Sequence, residues 1–440
     1  MKQVAKKIAS HDFIKLLSDR PYVFFLLSVV FSQVAFNMMN VVLIFLVFRL
    51  TSSNFLVSMT LLLSLLPQVF LSFLGGIIAD SKNKKDILMV GNIARAVAIF
   101  LLFFFNTFLS VVYLIAVTVS VITQFYIPAE TPIIPKIVPE RLLITANSLF
   151  GLALFGSTLI GFVAAGSAIT FLGWSQVFIV IAFLFGIAGF FANLIPSYAV
   201  SGSQQILNPK KMKAQVEASF KSYLAETYRL LLRTTGALPA FALLIISQVI
   251  IFILAIIVPS YAKDILHIRV EDVSLILFAP AGLGMIIAAL SIGSVSKDIN
   301  RTAMMNLGVF LSGIVLLSFP LMSRVAARGI AHFINGILPS IVQINMLHMV
   351  IVLAFLAGIG NAFIFIPAQT IIQEKIPENF RSKIYGLLFA MIGMFSLLPL
   401  LLAGGLADSL GVSFVLSLLG GIILLTGIIH LILMKAFTFS

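Results

Sequence analysis

The chain has no cysteine among its 440 residues, which excludes disulfides, thiolate nucleophiles, iron–sulfur clusters and cysteine-ligated zinc. Charge is scarce too: 10% of the residues are Asp, Glu, Lys or Arg, whereas 61% are hydrophobic. With a mean hydropathy of +1.16, this composition departs strongly from that of water-soluble domains. These scarcities indicate a protein that is surrounded mostly by lipid.

Sequence signatures of catalysis and nucleotide binding are also missing. The chain has no Gly-Lys dipeptide and therefore no phosphate-binding loop of the form Gly-x-x-x-x-Gly-Lys-(Ser/Thr). Its five histidines are scattered, and neither His-Glu-x-x-His nor Gly-x-Ser-x-Gly occurs. We therefore expect no enzyme, no metal site and no cofactor.

Long apolar stretches are what the sequence does contain, and twelve of them are long enough to cross a hydrocarbon core of about 30 Å as helices. The predicted crossings are 22–48, 55–79, 87–105, 107–128, 143–170, 174–196, 237–261, 272–295, 302–322, 348–370, 382–406 and 412–434. The sequence thus predicts an all-α integral membrane protein.

Basic residues concentrate in every second loop. With both termini on the cytoplasmic side, 22 of the 28 Lys and Arg residues are cytoplasmic, five are external, and only Arg95 lies within a crossing. This asymmetry predicts a multi-pass protein of the cell (inner or plasma) membrane with both ends inside. The net charge of +13 is spread over many segments, which favours anionic lipid over nucleic acid as the partner.

The longest polar stretch, 197–235, divides the crossings into two sets of six. We predict an N-terminal six-helix bundle at 1–196, a cytoplasmic linker with an amphipathic helix at 197–235, and a C-terminal bundle at 236–440. A plain tether without an amphipathic role is the alternative for the linker.

The two halves share an internal repeat. Residues 128–140 read PAETPIIPKIVPE and residues 367–378 read PAQTIIQEKIPE, each following an even-numbered crossing of its half. A weaker repeat relates 76–85 to 293–301. Parallel repeats of six helices predict two pseudo-symmetric bundles around a central site, as in one large class of secondary transporters.

The loop between the second and third crossings carries Gly76, Asp80, Lys84 and Lys85 at the spacing of the major facilitator loop motif, with Ser81 and Asn83 replacing Arg and Gly. Over its whole length the chain resembles that superfamily. Phe125-Tyr-Ile-Pro-Ala-Glu130, with the Arg at position 95, resembles the branch of macrolide-efflux and siderophore-export permeases. The resemblance implies a monomeric secondary transporter that works by alternating access and exports small amphiphilic compounds by proton antiport.

Charged residues at the cytoplasmic end form the predicted gating and coupling set. The resemblance implies that Asp80, Lys84 and Lys85 latch the loop, and the cost of a buried Arg predicts an acidic partner for Arg95. Glu130 is the first candidate partner and Asp80 the second. Arg141 and Arg381, which follow the two repeated segments, complete the set. The alternative is an ordinary basic loop and a structural ion pair.

Polar side chains in the first, fourth, seventh and tenth crossings form the predicted substrate cavity, because the resemblance implies that these helices line it. Three amides on the first crossing share one face by their i, i+4, i+7 spacing. The set is Gln33, Asn37, Asn40, Gln124, Tyr126, Gln248 and Asn361. Interhelical hydrogen bonding without a ligand is the alternative role for each of them.

Other functions stay open at this point. A lipid or lysolipid translocator of the same fold is the main alternative, and a membrane sensor or scaffold that does not transport belongs to a different class. Import instead of export, and transport without a coupling ion, are also compatible with the residues.

Overall fold

A computed structural model describes residues 13–197, 229–232, 234, 236–295, 300–321, 329 and 345–438. Within these ranges, it describes the backbone alone for 72–81, 131, 144, 293–295, 378–383, 430 and 432–438. The amphipathic helix predicted in the linker lies almost wholly outside the described residues.

Twelve long helices carry the described chain, and all twelve are apolar and long enough to cross a membrane. This confirms the predicted number of crossings. Their bounds are α1 Arg20–Thr51, α2 Asn54–Ser81, α3 Lys84–Phe105, α4 Leu109–Glu130, α5 Leu143–Leu172, α6 Gln176–Leu194, α7 Ala237–Ser260, α8 Ala279–Val295, α9 Arg301–Leu321, α10 Met346–Lys375, α11 Glu378–Leu410 and α12 Val412–Thr438.

Two connections differ from the predicted crossing ends. After α7 the chain continues as a π-helical segment, Tyr261–Leu266, and a second one, Ser274–Phe278, leads into α8. The hydropathy pattern ends the seventh crossing at 261 because Lys263 and Asp264 are charged. The backbone instead stays helical past them, since a helix satisfies its own peptide groups whatever the side chains are.

Residues 1–51 and 63–204 form the first compact unit. Within it, α1 packs on α5 and α6, and α3 packs on α4 and α6. A core cluster that includes Tyr22, Phe25 and Phe150 fills one end of this unit.

Residues 52–62 and 205–440 form the second compact unit, so the first residues of α2 group with the later part of the chain. Here α7 packs on α11, and α9 packs on α10 and α12. These pairs are the counterparts of α1 with α5 and of α3 with α4 and α6. Each unit therefore repeats one packing scheme, as the repeated segments predict.

The glycines of α5 differ sharply in their surroundings. A Cβ added at Gly161 would lie 2.8 Å from the Asn37 Cβ and 2.8 Å from the Val34 carbonyl oxygen of α1. A Cβ added at Gly151 or Gly156 would meet nothing within 4 Å. Of these three glycines, Gly161 is therefore the one where the crossing of α1 and α5 leaves no room for a side chain.

Gly161→Ala should lower the free energy of unfolding by about 1–3 kcal/mol, because the new methyl group must displace backbone atoms of α1. Gly156→Ala is the matched control and should leave stability unchanged or raise it slightly, since its methyl group has free space and Ala favours the helix. The measurement is an unfolding titration of both purified variants in detergent. Equal effects of the two substitutions would contradict the close contact.

Candidate functional site

A buried polar cluster lies inside the first unit, between two neighbouring helices. Helix α3 contributes Asn92 and Arg95, and α4 contributes Tyr126 and Glu130. The spacings of three and four residues put each pair on one helix face. All four side chains are buried, with exposures of 0% for Asn92, 1% for Arg95, 1% for Tyr126 and 4% for Glu130.

The Arg95 guanidinium stacks on aromatic rings. Its central carbon lies 3.9 Å from the ring centroid of Tyr126 and 5.2 Å from that of Phe185, and its Nε donates a hydrogen bond to the Gly91 carbonyl at 3.2 Å. A planar guanidinium suits such stacking better than an ammonium does. Arg95 thus faces the interior of the first unit, where its charge is stabilised by π-electron density.

The predicted ion pair with Glu130 is not formed in this structure. The two groups are close enough to interact electrostatically. Among the described side chains, however, the ion pairs within 4.0 Å join other residues. An Arg95–carboxylate contact therefore stays a prediction for another conformational state.

Several polar atoms of the cluster lie close to polar neighbours but form no hydrogen bond of ordinary length and angle. These buried atoms are the two side-chain polar atoms of Asn92, the Nη2 of Arg95, the hydroxyl of Tyr126 and the Oε1 of Glu130. Leaving such an atom unpaired costs about 1–3 kcal/mol, and more for a charged group. Such a group of atoms is uncommon in a packed interior, because buried polar groups are normally satisfied.

Two of the predicted cavity amides of the first unit, Asn37 and Gln124, donate hydrogen bonds within that unit. On α1, Gln33, Asn37 and Asn40 are all half-buried. The Asn37 Nδ2 donates to the Gln33 carbonyl at 2.8 Å and to the Thr158 hydroxyl of α5 at 3.3 Å. Gln124 is buried and donates to the Ser120 carbonyl at 3.2 Å. Asn37 thus joins α1 to α5, and Gln124 bonds to the backbone of its own helix, α4.

In the second unit, the Asn361 Nδ2 of α10 donates to the Ser247 hydroxyl of α7 at 2.8 Å. Gln248 follows Ser247 and is half-buried. Gln248 and Asn361 therefore lie where α7 and α10 meet. In the first unit, the equivalent helices α1 and α4 carry the other five predicted cavity residues. Ser247 was not predicted, because a lone serine in an apolar helix gives no sequence signal.

The predicted gating residues are only partly described. The side chains of Asp80 and Arg381 lie outside the described part of the structure, and Arg141 is exposed. Lys84 and Lys85 are half-buried and line an open pocket on the first unit. The structure brings Glu130 and Arg95 into one cluster and places this lysine pair elsewhere.

Comparison with known proteins decides the family. Residues 25–347 match the profile of the Major Facilitator Superfamily. The chain belongs to this superfamily. It is 24% identical, over 88% of its length and 86% of the relative's, to the uncharacterized MFS-type transporter YfiS of Bacillus subtilis (strain 168).

Solved transporters share the fold of this superfamily member. The nucleoside transporter NupG superposes with a TM-score of 0.69 at 13% identity, covering 94% of this chain and 99% of that one. A POT family transporter in complex with 5-aminolevulinic acid gives a TM-score of 0.68 at 13% identity, covering 94% and 96%. The protein is a multi-pass secondary transporter with the major facilitator fold.

One polar site of this transporter was not predicted. At the start of α2, the Asp408 carboxylate of α11 accepts hydrogen bonds from the backbone N–H of Asn54 at 2.7 Å and of Phe55 at 3.0 Å. It also accepts from the Ser53 hydroxyl at 2.6 Å and the Asn54 Nδ2 at 2.8 Å. All of these residues belong to the second unit. Asp408 of α11 thus caps the N-terminus of α2, a helix from a distant part of the chain.

Helix capping explains why this carboxylate is favourable. The first N–H groups of a helix have no intrahelical acceptor, and the helix dipole attracts negative charge there. The polar run Ser52-Ser53-Asn54 before α2 is a visible N-terminus signal. Its distant acidic partner follows only from the tertiary fold.

Asp408→Asn should lower the free energy of unfolding by about 1 kcal/mol, as loss of a side-chain cap does, since the amide keeps one acceptor oxygen and loses the charge. Asp272→Asn is the control, because Asp272 forms an exposed ion pair with Arg269 at 3.0 Å that contributes little. Thermal unfolding in detergent measures both variants. A larger loss for Asp272→Asn would contradict the capping role.

Proposed function

We propose that the protein exports small amphiphilic compounds by alternating access, driven by proton antiport, and that Glu130 carries the proton. Arg95 and Tyr126 are its partners in the cluster. The observation that supports this most directly is a buried carboxylate beside a buried guanidinium, both without their full set of hydrogen bonds, in the membrane-spanning part of the chain.

The physical cycle follows from the charges. An ionised Glu130 attracts Arg95 and favours the state in which the two groups form an ion pair. Protonation removes that attraction and leaves Arg95 on the Tyr126 ring, at the 3.9 Å stacking distance seen here. A proton taken up on one side of the membrane thereby changes the relative free energies of two packed states, which is what coupling requires.

The internal repeat provides a comparison within the same chain. The second half is offset by 217 residues at α9 and by 239 residues at α10, so its counterparts of Arg95, Tyr126 and Glu130 are Ser312, Phe365 and Gln369. Gln369 accepts a hydrogen bond from the Tyr385 hydroxyl. The same packing is therefore made without charge in the second half. This supports a functional reason for the charges in the first.

The polar residues of the predicted cavity suit an uncharged or amphiphilic cargo. Its side chains are amides and a phenol, whereas the acids of the described spans lie at or near helix ends. Solved superfamily members are named for nucleosides and peptides, and they share only the fold with this chain. The export direction rests on the resemblance of 125–130 and Arg95 to macrolide and siderophore exporters.

Glu130→Gln should abolish transport driven by a pH difference in sealed inside-out vesicles, while exchange of substrate across the membrane continues. The reason is that the amide still occupies the site but takes up no proton. The measurement follows accumulation of a panel of dyes and macrolide-like compounds with and without an imposed proton gradient, together with counterflow of the transported compound.

Glu140→Gln is the matched control, since it removes an exposed carboxylate ten residues further along the chain. It should retain gradient-driven transport. If Glu130→Gln also retains it, the proton site lies elsewhere. If the wild type moves compounds regardless of the gradient, the protein is an uncoupled transporter. Movement of fluorescent lysolipids and of no other compound would establish the lipid translocator instead.

Arg95→Lys should reduce transport about tenfold or more although it keeps the positive charge, because an ammonium loses the planar stacking on Tyr126 and Phe185. Arg141→Lys, at an exposed position, is the control. Initial transport rates at equal amounts of folded protein measure the effect. Full activity of Arg95→Lys would show that only the charge matters.

A further inference from the structure

The hydroxyl of Tyr126 is a buried polar group that the attraction between Arg95 and Glu130 does not use. Tyr126 is 1% exposed, and it is the ring that stacks on the Arg95 guanidinium, at 3.9 Å. A phenylalanine would provide the same kind of ring for this stacking. The hydroxyl therefore needs a separate explanation, because a buried hydroxyl costs free energy unless it is hydrogen-bonded.

This hydroxyl lies among polar side chains of three helices. Ser32 of α1, Asn92 of α3 and Glu130 of α4 are its hydrogen-bonding neighbours. Tyr126 and Glu130 are four residues apart, so they lie one helical turn from each other on the same face of α4. Neither the hydroxyl nor the Glu130 Oε1 completes a hydrogen bond of ordinary length and angle in this structure. The phenol and the carboxylate are thus close neighbours with hydrogen-bonding capacity to spare.

The protonation state of Glu130 decides how the hydroxyl is used. An ionised carboxylate only accepts hydrogen bonds, so it takes the phenol proton, whereas a protonated carboxyl is a donor itself. When Glu130 is protonated, the phenol O–H can turn to the Oδ1 of Asn92, which forms no ordinary hydrogen bond here. A hydrogen bond made to the charged form favours that form. The hydroxyl therefore stabilises ionised Glu130 more than protonated Glu130.

The charged surroundings of Glu130 include one described cation. Among the described residues, α4 packs chiefly on α3, on α1 and on the short segment Thr131–Ile133. From α3, Arg95 faces the carboxylate, while α1 contributes the uncharged Ser32 and Thr131–Ile133 has no charged residue. The side chain of Asp80 in α2 lies outside the described residues. A charge there would be common to variants that differ at Tyr126 alone.

The internal repeat links the hydroxyl to the carboxylate. In the second half the counterparts of Tyr126 and Glu130 are Phe365 and Gln369, so the hydroxyl and the charge are absent together. Gln369 still receives a phenol hydrogen bond, because the Tyr385 hydroxyl donates to its Oε1 at 2.5 Å. In both halves, therefore, the side chain at this place in the fold lies beside a phenol hydroxyl.

We propose that the Tyr126 hydroxyl positions Glu130 by donating a hydrogen bond to its ionised form, and that it thereby sets the pH at which this carboxylate takes up a proton. The inference rests on the proposed function, in which Glu130 carries the proton. Tyr126 then has two separable roles: its ring holds the Arg95 guanidinium, and its hydroxyl controls the proton affinity of the neighbouring acid.

Tyr126→Phe removes the hydroxyl and keeps a ring for Arg95. Because ionised Glu130 loses a donor, its proton uptake should move to higher pH by about one to two units, which is the size of a hydrogen bond to a charged group. The measurement is an infrared titration of the full-length protein in liposomes. It follows the absorption of the protonated carboxyl against pH, and the Glu130 contribution is the part that Glu130→Gln lacks. The pH of half-maximal gradient-driven transport should move in the same direction.

Tyr113→Phe is the matched control, since it removes a half-buried phenol hydroxyl from the same helix, about 20 Å away along the axis. Its infrared midpoint should equal that of the wild type. A purely structural role of the Tyr126 hydroxyl would reduce the amount of folded protein without moving the midpoint. An unchanged midpoint in Tyr126→Phe, a shift to lower pH, or an equal shift in Tyr113→Phe would overturn the proposal.

The two readouts distinguish a failure of this inference from a failure of the proposed function. If the midpoint shifts in Tyr126→Phe but Glu130→Gln retains gradient-driven transport, the hydroxyl acts on Glu130 as inferred and the coupling site lies elsewhere. If Glu130→Gln abolishes that transport and the midpoint does not shift in Tyr126→Phe, Glu130 carries the proton and the role given to the hydroxyl is wrong.

Discussion

The absence of water from the bilayer core is the constraint on which the rest of this structure depends. Peptide groups that find no water must hydrogen-bond to each other, so the chain crosses the bilayer as helices. Side chains there are apolar unless a partner or a ligand offsets the free-energy cost of their desolvation. Twelve apolar helices satisfy this requirement. The same constraint makes every buried polar side chain informative, because each has to be explained by a partner or by a function.

Most polar side chains in the described spans do have partners. The hydroxyl of Tyr22 donates to the Ala146 carbonyl at 2.8 Å, and that of Ser28 donates to the Ala188 carbonyl at 2.9 Å. Asn37 and Asn361 each join two helices. Against this background the group of Asn92, Arg95, Tyr126 and Glu130 differs, since each of its members retains at least one unpaired polar atom. If the cluster were only a structural ion pair, we would expect these polar atoms to be hydrogen-bonded.

The sequence predicted the fold because hydropathy, loop charge and an internal repeat all report the same physical requirement. It also predicted an ion pair of Arg95 with an acid, Glu130 being the first candidate, since a buried cation needs compensation; the two residues lie in one cluster here without forming that pair. It did not predict that the compensation here is the Tyr126 ring, because stacking depends on side-chain orientation and leaves no spacing pattern. The Asp408 cap was missed for a similar reason: its donors lie 353–355 residues away in the chain.

Comparison of the two halves separates what the fold requires from what it only permits. Both units pack equivalent helix pairs, so any residue that the packing demands should recur in the repeat. Gly91 does recur, as Gly308, and both face the neighbouring helix, with the atom nearest to an added Cβ 3.4 Å away at Gly91 and 2.7 Å away at Gly308. Arg95 and Glu130 do not recur, since Ser312 and Gln369 stand in their places. Charge that one half keeps and the other replaces is not needed to build a six-helix bundle. The retention of Arg95 and Glu130 in the first half therefore agrees with the proposal that they serve transport rather than packing.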